Sequence, residues 1–175
     1  VVWKNHYTKY SDIFIKIIWF HTACRIGYQI KGGGFERDLM LKVLNPSSEV
    51  ISYSKLDRRH RLKITYRDYT GILRNCEVDF IVKTKDRMYL VETKADKDIG
   101  SANVAVKVRA AMAWCEQAST VVSPSEYKQP QEWEYLLLSK GLFKSNQGIG
   151  FEAFVPLCRG LRDKIIAQAQ GTLFV

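Results

Sequence analysis

The sequence predicts an α/β (α+β mixed) fold, with a central four- to five-stranded mixed sheet flanked by helices. Two kinds of periodicity that alternate along the chain lead to this prediction. Short stretches rich in β-branched and aromatic residues, bounded by turn-like segments, predict strands at about 50–54, 62–69, 75–83, 88–94 and 133–138. Apolar residues at three- and four-residue spacing predict helices at about 11–30 and 101–118. Two further helices are expected at about 35–44 and, a shorter one, at about 160–169. Helices that precede, interrupt and follow the strands are expected to cover the sheet.

Glycine and proline mark the ends of the first two helices. Apolar residues at helical spacing run from Ser11 to Ile30, and the triplet Gly32-Gly33-Gly34 ends this helix. The triplet lacks the Lys-Ser/Thr ending of a phosphate-binding loop, so we interpret it as a hinge. The second helix stops before Pro46, because proline disfavours helical geometry in the residue before it.

The stretches 75–83 and 88–94 predict a hairpin. The polar segment Thr84-Lys85-Asp86-Arg87 forms a four-residue loop between them. A loop of this length that closes on Lys83 and Met88 fixes the pairing of the two strands. Three facing pairs follow, namely Ile81 with Leu90, Asp79 with Glu92, and Glu77 with Lys94.

The remaining elements complete and cover the sheet. The helix at 101–118 places Val104, Val108, Ala111 and Cys115 at helical spacing, so this face is expected to pack on the sheet. The strand at 133–138 adds to the sheet. From Gly141 onward we expect a loop followed by the short helix.

Composition indicates a globular, basic chain. Of its 175 residues 46% are hydrophobic and 26% charged, which excludes a disordered chain. The 27 Lys and Arg against 18 Asp and Glu give a net charge of +9, which suits attraction to phosphate backbones. The apolar segment 13–23 is interrupted by Lys16 and His21 and is too short to span a bilayer, so no membrane association is expected.

The cysteines and the first residues bear on the setting of the chain. Cys24, Cys76, Cys115 and Cys158 are scattered, with no Cys-x-x-Cys pair and no clustered histidines, which argues against a zinc site. We interpret them as small buried residues of a reduced, cytoplasmic protein. The chain begins Val1-Val2-Trp3 without methionine, so we expect a fragment of a longer polypeptide.

Two acids and a lysine at the ends of the hairpin strands are the main candidate site. Residues two apart share a strand face, so Lys94 lies beside Glu92, and the facing carboxylates of Asp79 and Glu92 repel each other. Two carboxylates with an ammonium beside them form an oxygen-ligand site for a hard cation such as Mg²⁺. The lysine is placed to hold or activate a bound water. The alternative is a solvated sheet face on which each acid is salt-bridged to a lysine.

The pattern Asp79, twelve residues, Glu92-Thr93-Lys94, with apolar residues leading into each acid, resembles the PD-(D/E)XK nuclease superfamily. The stretch 35–140 looks like the C-terminal endonuclease domain of the restriction (Res) subunit of type III restriction enzymes and its helicase-linked relatives. The residues that carry the likeness are Phe35-Glu36-Arg37, Ile64-Thr65-Tyr66 before Gly71, Val78-Asp79-Phe80-Ile81-Val82, Leu90-Val91-Glu92-Thr93-Lys94, Lys107 with Ala110-Ala111 and Trp114-Cys115, and Trp133-Glu134-Tyr135. The family usually has proline before the first acid, where this chain has Val78. That proline shapes the strand and is not a ligand.

The resemblance implies a restriction-endonuclease-like core and Mg²⁺-dependent hydrolysis of DNA phosphodiester bonds, with Mn²⁺ able to substitute. By the same resemblance Asp79, Glu92 and Lys94 are catalytic. Asp79, Glu92 and the Thr93 carbonyl would bind the metal, and Lys94 would position the water or stabilise the phosphate. The whole protein would carry an ATP-driven motor ahead of this domain and work beside a methyltransferase subunit.

Two further residues acquire roles from the resemblance. Glu36 matches a helix acid that reaches the metal directly or through water, and a first-turn glutamate favoured by the helix dipole is the equal alternative. Lys107 matches a residue near the active site of relatives, so we expect a phosphate contact. A lysine that extends past the sheet edge into solvent is the alternative.

A dense basic run between the first two strands is the second candidate for DNA binding. It runs from Lys55 to Lys63, and its candidate phosphate-binding residues are Arg58, Arg59, Arg61 and Lys63. Such a run can grip phosphates in a salt-dependent way without reading base sequence. The alternative is a solvated turn.

We therefore predict a DNA endonuclease domain that forms part of a larger restriction- or helicase-type protein. The rival hypothesis is a catalytically idle nucleic-acid-binding or docking module with the same fold, and a third is a protein-interaction domain whose basic surface meets an acidic partner. Residues 1–34 are expected to form an N-terminal helical extension or linker, 35–140 the nuclease core, and 141–175 a C-terminal extension that packs on the core.

Overall fold

A four-stranded mixed sheet forms the centre of the fold. The computed structural model describes residues 34–57, 60, 62–120 and 132–171. The strands are β1 (Ser52–Lys55), β2 (Ile64–Arg67), β3 (Leu73–Cys76), β4 (Phe80–Lys83), β5 (Arg87–Lys94) and β6 (Glu132–Ser139). The central sheet has the order β1-β4-β5-β6, with β5 and β6 parallel and the other pairs antiparallel, while β2 and β3 form a separate two-stranded sheet. The predicted mixed α/β fold is confirmed.

The helices cover both faces of this sheet. They are α1 (Gly34–Leu39), which continues into a π-helical turn (Met40–Leu44), α2 (Asp96–Ile99), α3 (Ala102–Thr120), α4 (Lys140–Ser145) and α5 (Phe151–Gly171). The predicted helices at 35–44 and 101–118 are thus confirmed, and the predicted helix at 11–30 lies outside the described residues. No described helix combines the length and apolar character needed to cross a membrane.

Alternation along the strands divides the core into two clusters. Ile81 and Leu90 point to the face covered by α3 and by the β2–β3 hairpin. Phe80 and Val82 point to the opposite face, covered by α1, α4 and the start of α5. Because both faces are covered, β4 is a continuous apolar run. The predicted face of α3 is buried, and Cys76, Cys115 and Cys158 are buried free thiols as expected, while Cys24 is outside the described residues.

The β4–β5 hairpin has the predicted register near its turn and departs from it at the other end. Ile81 pairs with Leu90 and Lys83 with Met88. The ladder ends at Phe80 and Val91, however, so the expected pairs Asp79 with Glu92 and Glu77 with Lys94 are wrong. The Asp79 N–H donates to the Val91 carbonyl at 3.1 Å, so Asp79 and Phe80 both face Val91, which is a β-bulge.

The bulge has a cause in the preceding strand. The sequence predicts one strand at 75–83, but the structure divides it into β3, which pairs with β2, and β4, which pairs with β1 and β5. The chain changes partner at Glu77-Val78-Asp79, and it must leave the ladder to do so. Asp79 therefore lies at a bend, next to the first residue of a central strand.

The C-terminal region contains more helix than the sequence predicts. In place of a loop and a helix at 160–169, the structure has α4 and the 21-residue α5. Phe151 of α5 belongs to one core cluster and Ile165 to the other, so α5 passes the β6 edge of the sheet. Arg159 of α5 binds Glu134 of β6 through two hydrogen bonds of 2.5 and 2.6 Å, which fastens the helix to this edge.

Candidate functional site

The candidate residues converge at one end of the central sheet. Because β4 runs antiparallel to both β1 and β5, the end of β1, the start of β4 and the end of β5 share an edge. Lys55 ends β1, Asp79 immediately precedes β4, and Glu92-Thr93-Lys94 end β5. The ladder continues past Lys55, since the Leu56 N–H donates to the Asp79 carbonyl at 2.7 Å.

Asp79 is held by Thr93. Its Oδ2 accepts hydrogen bonds from the Thr93 backbone N–H and from the Thr93 hydroxyl, both at 2.7 Å. Burial nevertheless raises the pKa of Asp79 above its ordinary value against the effect of these bonds, and the nearby Glu36 carboxylate adds to the rise. Within the described part of the chain, no lysine or arginine forms an ion pair with Asp79. This carboxylate is therefore fixed in position while its negative charge is poorly compensated.

Glu92 is buried, with 2% of its surface exposed, and both of its oxygens have partners. Oε1 lies 2.7 Å from the Lys94 Nζ, and Oε2 accepts a hydrogen bond of 2.7 Å from the Tyr135 hydroxyl. The Cys76 Sγ is 3.6 Å from the same Oε2. Burial raises the pKa of Cys76 to about 12 and that of Tyr135 well above 10, and the Glu92 charge adds to both, so both groups keep their protons and act as donors.

The charges of both acids act on the Lys94 ammonium. Burial alone lowers the pKa of its ammonium, but the Glu92 and Asp79 carboxylates outweigh that effect, so the pKa lies above the ordinary value. Lys94 is therefore a cation near neutral pH. The predicted grouping of Asp79, Glu92 and Lys94 is found at this end of the sheet, although its geometry differs from a simple facing pair.

The backbone carbonyl of Thr93 points toward β4. The N–H and C=O of one strand residue point to the same side of the strand. Since the Thr93 N–H points to the Asp79 carboxylate on the β4 side, the Thr93 carbonyl also points to that side. This carbonyl therefore faces the same side of β5 as Asp79.

Glu36 is near the site but is engaged. Its Oε2 forms an ion pair of 2.7 Å with the Lys55 Nζ, and both charges act on the pKa of Asp79. The Lys55 Nζ also lies 5.4 Å from the centre of the Phe80 ring. Sequence reasoning placed Lys55 only at the start of the basic run, because nothing local shows that the end of β1 meets α1.

The predicted phosphate contacts are only partly described. Lys107 lies on α3 with its Nζ 5.9 Å from the centre of the Tyr66 ring, and its charge acts on Cys76 beside Glu92. Lys63 is exposed next to β2. The other three residues of the basic run, Arg58, Arg59 and Arg61, lie outside the described residues.

The donor set fits a hard cation. Across the described ranges, no group of three or more His, Cys, Asp or Glu side chains is arranged to hold a metal ion. Mg²⁺ does not require three, because it commonly binds through one or two carboxylates and keeps several waters. Asp79, whose charge is poorly compensated, Glu92 and the Thr93 carbonyl supply hard oxygens of this kind.

Comparison with known proteins identifies no relative of this chain. The chain matches no protein-family model, no curated protein and no solved structure.

Proposed function

We propose that the chain is a metal-dependent endonuclease domain that hydrolyses DNA phosphodiester bonds, as the nuclease part of a larger restriction- or helicase-type protein. The observation that carries the proposal is Asp79, a carboxylate held by Thr93, raised in pKa and without an ion pair in the described residues, at the sheet edge that also carries Glu92 and Lys94. A charge of this kind is costly unless it binds a cation. The net charge of +9 favours a polyanionic substrate.

The metal ligands in this proposal are Asp79, Glu92 and the Thr93 carbonyl, with Glu36 as an optional ligand that must first leave Lys55. Mg²⁺ held by these residues, or Mn²⁺ in its place, would supply an activated water and would stabilise the charge that grows on the phosphate. A motor in the same polypeptide and a methyltransferase subunit are the proposed partners.

The chain's own residues divide the remaining work. Lys94 stays protonated, so it donates hydrogen bonds to a phosphate oxygen or a water and does not act as the base. Tyr135 and Lys94 hold the two oxygens of Glu92 and fix its orientation. Thr93 fixes Asp79 in the same way.

Nicking of supercoiled DNA by the full chain tests the proposal. We expect nicks in Mg²⁺ or Mn²⁺, none in EDTA, and a loss on the order of 10³-fold in Asp79→Asn and Glu92→Gln, because each substitution removes a charge that acts at the phosphate. Asp86→Asn is the matched control, since Asp86 is an exposed aspartate in the β4–β5 turn at the opposite end of the sheet. Equal nicking by all four proteins would overturn the assignment.

One observation favours the rival hypothesis of an idle nucleic-acid-binding module. Both oxygens of Glu92 are already satisfied by Lys94 and Tyr135, as in a purely structural carboxylate. Salt-sensitive DNA binding without metal-dependent nicking in any divalent cation would support this rival.

Tyr135 gives a test of positioning that the sequence alone does not suggest. Tyr135→Phe removes the donor to Glu92 and leaves the fully buried ring in place. We expect nicking to fall by about ten- to a hundredfold, because a hydrogen bond to a charged group contributes about 1.5–3 kcal/mol. Wild-type nicking by the variant at a temperature where both proteins are folded would show that the Tyr135 hydroxyl serves stability alone.

A further inference from the structure

The β2–β3 hairpin exposes apolar side chains at its tip. Among the described residues, five large apolar side chains are exposed, and three of them lie here: Tyr69 at 68%, Ile72 at 54% and Leu73 at 62%. This concentration in five residues differs from the single exposed apolar residues that are normal on protein surfaces.

Hydrogen bonds to Asp68 hold the backbone of the tip. The buried Asp68 carboxylate accepts hydrogen bonds from the Thr70 N–H and hydroxyl and from the Ile72 N–H, and it pairs with Arg74 at 3.0 Å. Its bonds with Thr70 above all, against a smaller effect of burial, lower the pKa of Asp68 to about 2, so the carboxylate stays charged. Gly71, at φ +85°, completes the turn. The backbone that carries the exposed apolar side chains is therefore held in a defined turn.

The charge of the hairpin is positive on its outer face. Residues 63–76 contain Lys63, Arg67 and Arg74 against Asp68 alone, and Asp68 is bound to Arg74. Strand alternation and the pairing of Arg67 with Leu73 place these two residues on the same exposed face. A surface that combines cations with apolar side chains complements a groove of duplex DNA, where phosphates line the rims and apolar side chains can insert between base steps.

The C-terminal end of the hairpin lies at the candidate active site. Cys76, the last residue of β3, is the residue whose Sγ lies 3.6 Å from the Glu92 Oε2. Leu73 is three strand residues away, which is about 10 Å at the rise of a β-strand. This span equals about three base steps of 3.4 Å along a DNA strand.

We propose that the β2–β3 hairpin is a DNA-binding arm that holds the duplex beside the cleaved phosphate, with Lys63 and Arg67 on phosphates and Tyr69, Ile72 and Leu73 in a groove. The inference rests on the proposed function in taking DNA as the partner. It deepens that function by naming the surface that binds the flanking base pairs.

Binding of a fluorescein-labelled duplex by the full chain in EDTA, over a series of KCl concentrations, tests the arm without cleavage. In Lys63→Gln/Arg67→Gln we expect weaker binding and a slope of log affinity against log salt smaller by about 1.8, since each phosphate contact contributes about 0.9. In Tyr69→Ser/Leu73→Ser we expect a loss of about tenfold with the slope unchanged, because base contacts release no counterions.

Matched controls lie elsewhere on the surface. Lys83→Gln/Lys85→Gln removes the same charge at the opposite end of the sheet, and Leu41→Ser/Ile51→Ser removes two apolar side chains that are each 52% exposed. Both should bind DNA like the wild type. Wild-type affinity in both hairpin variants, or equal losses in the controls, would overturn the proposal of a DNA-binding arm. A hairpin variant that changes self-association and leaves DNA binding unchanged would also overturn it.

Failure of the arm and failure of the proposed function are distinguishable. If the wild type nicks DNA and the hairpin variants bind normally, only the arm is wrong. If no protein nicks DNA but binding depends on the hairpin, the nuclease proposal is wrong and the arm stands.

Discussion

Lys94→Met is expected to abolish nicking and to be strongly destabilising. It leaves Glu92, buried with 2% exposure, without the ammonium that lies 2.7 Å from its Oε1. Removing one partner of a buried ion pair costs about 3 kcal/mol here, at the low end of the usual range because a quarter of the Lys94 side chain is exposed. For a chain of this length the melting temperature should fall by about 6–12 °C.

A second substitution separates the pair from other effects. Glu92→Gln in the Lys94→Met background removes the stranded charge and keeps an acceptor for the Tyr135 hydroxyl. The double variant should therefore recover most of the lost melting temperature while remaining inactive. Lys97→Met, at an exposed lysine of α2, is the control and should melt like the wild type. A double variant as unstable as the sum of the single variants would show that Lys94 does not act through Glu92.

The parts of the fold that local sequence determines were predictable. The β4–β5 turn is closed by Lys83 and Met88, which are adjacent across a short loop, and its register followed directly. Polar and apolar residues alternate from Asn75 to Phe80, and the apolar run then continues through Val82. This pattern also suits one strand that becomes buried on both faces, so it did not reveal the change of partner between β3 and β4. That change is set by β2, which competes for Leu73–Cys76 through a contact that local pattern does not encode.

The same reasoning explains the error in the C-terminal region. Pro156 and Gly160 argue locally against a long helix. Distant groups stabilise it, since the Ser47 hydroxyl accepts the Phe151 N–H and Glu49 accepts the Glu152 N–H, over 104 and 103 residues of sequence. The apolar residues Phe151, Phe154, Val155 and Cys158 do follow helical spacing, and this signal could have extended the predicted helix.

At the candidate site, the residue types were predictable and their partners were not. Asp79, Glu92 and Lys94 are local in the hairpin and were identified by spacing. Tyr135, which holds Glu92, is 43 residues away on a parallel strand whose connection passes through α3. Partners of this kind emerge only when the crossover is folded.

Asp79→Asn is expected to raise the melting temperature in EDTA, in contrast to Lys94→Met. Burial, followed by the Glu36 charge, raises the pKa of Asp79 in the folded protein against the Thr93 hydrogen bonds. The unfolded state loses this proton at a pKa of about 3.9, whereas the folded state keeps it to higher pH. The free energy of unfolding therefore decreases as pH rises between the two pKa values, and it stays lower near neutral pH. Asparagine keeps the shape and an acceptor for Thr93 without the charge. The two proteins should therefore differ near neutral pH and converge below about pH 4.

Addition of Mn²⁺ should reverse the order of the two proteins. A cation bound to the folded wild type at about 100 times its Kd contributes about 2.7 kcal/mol, or about 5–11 °C in melting temperature for a chain of this size. The Asp79→Asn protein lacks the ligand and should gain little, whereas Asp86→Asn should gain as much as the wild type. A lower melting temperature of Asp79→Asn in EDTA would assign the carboxylate to an attractive interaction with Lys55, and equal gains in Mn²⁺ would remove Asp79 from the metal site. The poorly compensated charge of Asp79 and the metal site are thus one hypothesis. The decrease in stability that this charge causes without metal is what the bound cation would relieve.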